Sequence, residues 1–345
     1  MMILLYILLG VSILAPIYTY ALYPFVLRLF QMRSRSTIVG YCPSVSVVVI
    51  GGDETDFARK KNNIQNSDYK NIIEIVYSPL QENALRIIKT TKGEVVVVTD
   101  TYSVFLKETI PAAINALSVP WTGCVSGMLR KEPDENGVSR DGANWRYENK
   151  IKMLESNIGC LSGANSAIYA VKHAFLPDER HSLINLDFLI PMCVTEIGFD
   201  VVFEPKSVAY ESENRSEADL FKKHVLDGES GFRSIVRFLD LLWPTKKGSF
   251  VFWSHRVMKW LVPFNMIILL AGCGILAFSY KWTLILLLLQ ILGYLYLSIY
   301  YITFTLKGKS LSGAIGKLSD FGSYFLVLNV AWFLGFIKVC KLCKQ

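Results

Sequence analysis

Histidine is almost missing from this chain, with four in 345 residues, and the seven cysteines are odd in number and widely scattered. An odd, dispersed set does not make a disulfide framework, and in a reducing compartment such cysteines are core or lipid-facing residues. Cys340 and Cys343 form a lone C-x-x-C with no second pair and no neighbouring histidine, which argues against zinc; palmitoylation is the other reading. No nucleic-acid-binding motif is present, and no basic helix carries base-reading side chains, so the net charge of +7 belongs to another anionic surface. Charge is itself thin. Only 19% of residues are Asp, Glu, Lys or Arg, against 52% hydrophobic, a balance that a purely soluble protein does not need.

The apolar excess is gathered into segments. Residues 2 to 30 carry no charge before Arg28, long enough to cross a bilayer at about 1.5 Å per residue. With no basic stretch ahead of it and more length than a signal peptide needs, the segment reads as an uncleaved anchor. Val257 to Tyr280, Trp282 to Leu306 and about Phe321 to Val339 give three more segments of spanning or near-spanning length. No charged residue or broken-helix pair marks a path through them, which argues against a transporter. Basic residues flank the segments (Arg33, Arg35, Lys246, Lys247, Arg256, Lys259, Lys307, Lys309), as an anionic cytoplasmic leaflet would attract. Arg28, Arg33 and Arg35 after the first helix place the soluble part in the cytoplasm. Four spans would leave the Lys-rich tail "KVCKLCKQ" outside, against the same rule; the alternative is that one late segment lies in the interface.

These breaks divide the chain into an N-terminal anchor (1–35), a soluble domain (36–245), an aromatic and basic interfacial helix (246–264) and C-terminal apolar segments (265–345). In the interfacial stretch, "GSFVFWSHRVMKWLVPF", His255 has no second ligand at helical spacing and reads as a hydrogen-bonding residue.

Within the soluble part, "VSVVVIGGDE" is an apolar run closed by two glycines, which predicts a buried parallel strand entering a loop. "NIIEIVYS" is a second strand, "NALRIIKTTKG" a helix stopped by Gly93, "EVVVVTD" a third strand and "WTGCVSG" a fourth. Such alternation indicates βαβ units on one sheet, whose ligands sit beyond the carboxyl ends of the strands. Asp53, Glu54 and Asp100 fall at those ends. Helix capping explains Asp53 and Glu54 equally well. Asp100, following four valines at the mouth of the sheet, is placed to meet a cation or polar ligand. Further on, "WRYENKIKMLESN" is a helix with Glu148 and Glu155 near one face, "GCLSGANSAIYAVK" opens on a small-residue loop (Gly163, Ala164, Asn165), and Asp187 lies in a mainly apolar helix that Gly198 ends. A carboxylate in apolar surroundings is either a core or capping group or a reactive one.

The order of these pieces resembles the membrane-bound, processive-type family 2 glycosyltransferases. The resemblance implies a GT-A nucleotide-sugar domain, an α/β fold with a mixed, mainly parallel sheet, flanked by N- and C-terminal transmembrane helices. "ENALRIIKTTKGEVVVVTDTYS" is similar to the stretch that leads into the family's D-x-D motif, whose first acid contacts the sugar and whose second takes a Mg²⁺ or Mn²⁺ that bridges the donor diphosphate. Asp100 matches the first position, and Tyr102 stands at the second. "YENKIKMLESNIGCLSGANSAIYAVK" is similar to the acceptor-side helix and glycine loop, which puts Glu155, Gly163 and Asn165 on the acceptor side. "INLDFLIPMCVTEIGFDVVFEP" is similar to the segment that supplies the catalytic base; Asp187 matches the base and Leu186 replaces its acidic neighbour. Asp53 and Glu54 keep an acid in the first donor loop, the second strand lacks the nucleoside aspartates, and "LFKKHVLDGESGFRSIVRFL" with Lys222, Lys223 and His224 replaces the family's diphosphate motif.

The implied activity is inverting transfer of a sugar from a nucleotide-sugar donor to a glycan or lipid-linked acceptor at the cytoplasmic face of a bacterial inner membrane, beside other glycan-synthesis proteins. With four spans at most and no diphosphate motif, transfer of one or a few sugars fits better than polymerisation. The other reading is a catalytically inactive glycosyltransferase-like subunit or scaffold of a membrane glycan-synthesis complex.

Overall fold

The computed structural model describes residues 2–30, 36–132, 143–178, 184–211, 217–243, 247–307, 309 and 311–342. Arg33, Arg35, Lys246 and Cys343, used above, lie outside the described residues. Two compact units emerge: Pro24–Asn214 with Phe238–Trp253, and Met1–Tyr23 with Arg215–Arg237 and Ser254–Gln345.

The first unit is built on seven strands: β1 (Val45–Ile50), β2 (Ile72–Ser78), β3 (Val95–Asp100), β4 (Ser103–Phe105), β5 (Thr122–Lys131), β6 (Tyr169–Lys172) and β7 (Asp200–Glu211). Their order across the sheet is β2-β1-β3-β6-β5-β7-β4. β1 runs parallel to β2 and β3, and β5 parallel to β7, while β6 is antiparallel to both β3 and β5 and β4 is antiparallel to β7. The sheet is therefore mixed, with β6 and β4 reversed. The valine runs explain its centre. Val47, Val48, Val49 and Val95 to Val98 are fully or almost fully buried, each contributing about 1.5–3 kcal/mol of apolar burial, which only a strand covered on both faces can collect.

The helices number in chain order. α1 (Met2–Ile17) continues through a π-helical turn into α2 (Tyr23–Leu27); α3 (Glu54–Gln65), α4 (Gln81–Thr90), α5 (Thr109–Leu117), α6 (Ala143–Ile158) and α7 (Leu186–Glu196) belong to the sheet unit. α4 ends at Thr90, where the Thr91 hydroxyl donates to the Ile88 carbonyl, and not at Gly93 as the sequence suggests. Gly93 is needed for close approach instead: its N–H donates to Ser46 Oγ at 2.8 Å, and a Cβ there would lie 2.5 Å from the Ser46 nitrogen.

α8 (Glu217–Arg237) groups with the apolar helices of the second unit. α9 (Lys247–Val251), a π-helical stretch (Phe252–Val257) and α10 (Met258–Leu276) follow without interruption, so the aromatic stretch and the next apolar segment are one long helix. α11 (Lys281–Thr303) and α12 (Gly313–Leu342) complete the chain. Four helices are long and apolar enough to cross a membrane: Leu5–Leu27, Gly248–Leu276, Lys281–Lys307 and Gly313–Lys341. α12 starts earlier than its apolar core suggests and takes in Lys317 and Asp320, so a charged residue does lie on a candidate span. Its carboxylate is occupied, accepting from the Tyr300 hydroxyl at 2.7 Å. In this unit the His255 Nε2 lies 2.8 Å from Lys259 Nζ, both side chains buried, with the imidazole against the Tyr23 ring.

Candidate functional site

Three short segments meet at the carboxyl edge of β1 and β3. The first is the turn after β1. Gly51 and Gly52 both take positive φ (81° and 71°), and a Cβ on Gly52 would lie 2.5 Å from the Thr101 hydroxyl, so this loop is pressed against the turn after β3. Asp53 then caps α3: its carboxylate accepts from the Asp56 N–H at 2.9 Å and from the Thr55 hydroxyl at 2.6 Å, and Asp56 returns a bond to the Asp53 N–H. The Thr55 hydroxyl, followed by the Asp56 amide, holds the Asp53 carboxyl below its ordinary range. Asp53 is thus engaged as a capping box. Glu54 is exposed on the first turn. At the end of β2 the Tyr77 hydroxyl donates to the Gly52 carbonyl at 2.7 Å, and its ring stacks on Phe57 at 4.7 Å. Tyr77 stands near the sheet edge where the nucleoside aspartates are missing.

The second segment is the turn from β3 to β4. Asp100 is paired with Ile50 across β1 and β3, and its Oδ1 accepts from the Tyr102 N–H at 3.2 Å, so the carboxylate shapes its own turn. The Tyr102 side chain is half-buried. Thr101 Oγ1 is buried with no hydrogen-bond partner among the described residues. Beneath the turn lies a residue that the sequence did not single out. Lys60 of α3 is 2% exposed, and its ammonium donates to the Ser103 carbonyl at 2.6 Å and to Ser103 Oγ at 3.0 Å while sitting 3.5 Å from the Phe105 ring centre. Burial pushes its pKa down to about 7, opposed by the charge of Asp100. The signal was spacing: Phe57, Lys60 and Ile64 recur at helical intervals, so Lys60 occupies the buried face of a helix whose other lysine, Lys61, is exposed.

The third segment is the small-residue loop. Thr99 Oγ1 donates to the Ala167 carbonyl at 2.7 Å, tying β3 to the loop before β6. Asn165 is fixed by the Ser126 hydroxyl, which accepts from its N–H at 3.0 Å, by the Gly127 carbonyl and by Lys152. The Ala164 N–H donates to the Asp187 carbonyl at 2.6 Å. The loop that carries Gly163 and Asn165 therefore bridges the Asp100 turn and the start of α7. Asp187 is half-buried in the first turn of α7, at the end of the helix where backbone N–H groups favour a negative charge. Its charge acts on the Tyr169 hydroxyl, which is fully buried without a hydrogen-bond partner among the described residues; burial, then Asp187, raises that phenol well above its ordinary pKa.

Backbone and side-chain bonds thus tie the end of β3, which carries Asp100, and the first turn of α7, which carries Asp187, to the loop of Gly163 and Asn165. Glu155 is placed differently. It is fully enclosed, and its Oε2 accepts from the Ser162 N–H at 2.9 Å, so it braces the loop from behind and offers no surface to an acceptor. Lys222, Lys223 and His224 lie on α8, in the unit of the apolar helices; His224 Nδ1 is 3.7 Å from Asp227 and its ring meets Tyr324 edge-on at 5.8 Å. Among the described residues no group of three His, Cys, Asp or Glu side chains is placed to hold a metal ion.

The sheet order and its reversed β6 make an α/β fold of GT-A type. Among solved structures, the fold is similar to a mannosyltransferase from Pyrobaculum calidifontis determined with GDP-Man and Mn²⁺: TM-score 0.69 at 14% identity, covering 96% of this chain and 99% of that one. Looser likenesses are to GalNAc-T7 with UDP, GalNAc and Mn²⁺ (TM-score 0.34, 12% identity, 49% of this chain and 43% of that one) and to a mycobacterial protein (0.40, 15%, 56% and 74%). At these identities the likeness is one of fold. No protein-family model and no curated protein sequence matches the chain.

Proposed function

We propose that the chain is a membrane-embedded glycosyltransferase that moves a sugar from a nucleotide-sugar donor to a membrane-associated, lipid-linked glycan acceptor with inversion at the anomeric carbon. The observation that supports this reading is the pair of hydrogen bonds from Thr99 to the Ala167 carbonyl and from the Ala164 N–H to the Asp187 carbonyl, which tie the strand end that carries Asp100 and the start of α7 to one loop. In this reading the donor lies across the β1 and β3 turns, flanked by Tyr77 and Tyr102, and Asp100 receives hydroxyl groups of the sugar. Asp187 takes the proton from the acceptor hydroxyl as its oxygen bonds to the anomeric carbon. The bond from that carbon to the phosphate oxygen breaks, and the nucleoside diphosphate leaves with the electron pair. Four helices long and apolar enough to cross a membrane support a membrane-associated acceptor.

A divalent ion would neutralise the leaving diphosphate, but the residues do not fit a protein-held one: the position whose acid would take it is Tyr102, a phenol, and among the described residues no three His, Cys, Asp or Glu side chains are placed to hold an ion. No step of the mechanism passes through a metal.

Nucleoside diphosphate release by the detergent-purified chain over a panel of nucleotide sugars, with and without Mn²⁺ or Mg²⁺, tests this reading. Asp187→Asn is expected to lower turnover by about 10²–10⁴-fold with donor affinity retained. Turnover unchanged in Asp187→Asn removes that residue as the base. The capping role of Asp53 and the phenol at position 102 favour a second reading, a subunit that holds its partners without turnover; binding of a nucleotide sugar with no release under any condition decides for it.

A further inference from the structure

The Asp100 turn contains a positive charge that the proposed transfer does not yet use. Lys60 is enclosed by α3, β3 and β4, and two of its three N–H donors are directed at one residue, Ser103. Ser103 Oγ in turn lies 3.3 Å from Thr99 Oγ1 and 3.3 Å from the Ala167 carbonyl, so Lys60 anchors the network that joins the turn to the 163–168 loop. Asn63, three residues on in the same helix, holds Phe105: its amide donates to the Phe105 carbonyl at 2.9 Å and accepts from the Phe105 N–H at 2.7 Å. A methionine would fill the same volume without the charge. Taking an ammonium out of water is expensive, and Asp100 is the carboxylate whose charge acts on it. The position at which an acid would recruit an external cation is Tyr102, while a cation is already built in beneath it.

We propose that Lys60 is a positioning residue of the donor site whose ammonium fixes the 99–103 turn and offsets the charge of Asp100, so that a nucleotide-sugar diphosphate binds there without a divalent cation. The inference rests on the donor-site reading above. Lys60 does not touch the donor; its hydrogen bonds are directed at Ser103 and its charge acts through the low-dielectric interior.

The experiment measures binding of UDP-glucose and GDP-mannose to the full chain in detergent at pH 6, below the folded pKa of Lys60 so that its ammonium is protonated, each with excess EDTA and again with Mn²⁺. Wild-type affinity for the better donor is expected to differ by less than about twofold between the two conditions. In EDTA, Lys60→Gln, which keeps a donor for Ser103 but not the charge, is expected to weaken binding about tenfold, and Lys60→Arg to stay within a few-fold of wild type. Thermal unfolding in the same detergent identifies any variant that has not folded. A purely structural role would lower the unfolding midpoint without following charge across the Gln and Arg variants. Loss of wild-type binding in EDTA overturns the proposal, as does a folded Lys60→Gln that binds like wild type, and both leave the donor-site reading standing. Failure of the wild type to bind any nucleotide sugar in either condition overturns that reading, and this proposal with it.

Discussion

A lysine buried as deeply as Lys60 makes stability depend on pH, and the sign can be worked out. Its folded pKa, about 7, lies below the value near 10.5 of an exposed lysine. Between those values the unfolded chain holds the proton and the folded chain does not, so this group contributes stability that increases as pH rises from about 7 toward 10 and is absent below it. Lys60→Met removes the group from both states. The unfolding midpoint of wild type is therefore expected to rise more between about pH 6 and pH 9 than that of Lys60→Met, followed by scanning fluorimetry of the full chain. Equal slopes would mean that the ammonium is better hydrated than its position between Ser103 and Phe105 indicates. The same residue shows why part of the site could not be read from sequence. In "FARKKNNIQ" the spacing of Phe57, Lys60 and Ile64 hints that Lys60 faces inward, but its partner, Ser103 on the strand after Asp100, appears only in the fold.

At the scale of elements, legibility followed the range of the interactions. β1 and β3 declare themselves because a strand buried on both faces needs an unbroken apolar run, and their valines supply one within a few residues. The reversed β6 does not, because its place between β3 and β5 depends on pairing Val95 with Lys172 and Cys124 with Val171 across long stretches of chain. The turn after β1 lies between these cases: two glycines announce a turn, but not that it must pass Thr101. That difference is testable within one turn. Gly51 and Gly52 both have positive φ, but a Cβ on Gly51 meets nothing within 4 Å, whereas one on Gly52 meets Thr101 Oγ1 at 2.5 Å and Asp56 Oδ2 at 2.9 Å. Gly51→Ala should cost only the backbone strain, about 1 kcal/mol. Gly52→Ala adds displacement of the Thr101 and Asp56 side chains, for about 2–3 kcal/mol in all, and, if the donor lies across these turns as proposed, should also weaken nucleotide-sugar binding. Equal shifts in unfolding midpoint for the two variants would show that the turns are not in contact.

For the whole molecule, the open matter is how many of the four apolar helices cross. α12 passes on hydropathy, yet its middle is packed on α8, a helix no bilayer would accept. A Cβ on Gly335 would lie 2.6 Å from the Val225 carbonyl, one on Gly228 2.7 Å from the Trp332 Cα, and Phe232 meets Phe336 edge-on. Along that contact α8 carries His224, Asp227, Glu229 and Arg233, with an Arg233 to Glu229 pair at 3.0 Å. Carrying α12 through the bilayer would draw these groups toward hydrocarbon at about 2.5–3.5 kcal/mol for each Asp or Arg at the centre. A surface position beside α8 would avoid that cost and leave three crossings. With three crossings, Lys338 and Lys341 would be expected on the same side of the bilayer as Arg28, the distribution the charge rule favours. Cys42, on the domain, and Cys340, near the end of α12, are both exposed and report on the two positions. In single-cysteine variants probed with a membrane-impermeant maleimide, both are expected to react only after the cells are opened. Labelling of Cys340 in intact cells while Cys42 stays protected would show that α12 crosses after all, and labelling of both would place the whole domain outside.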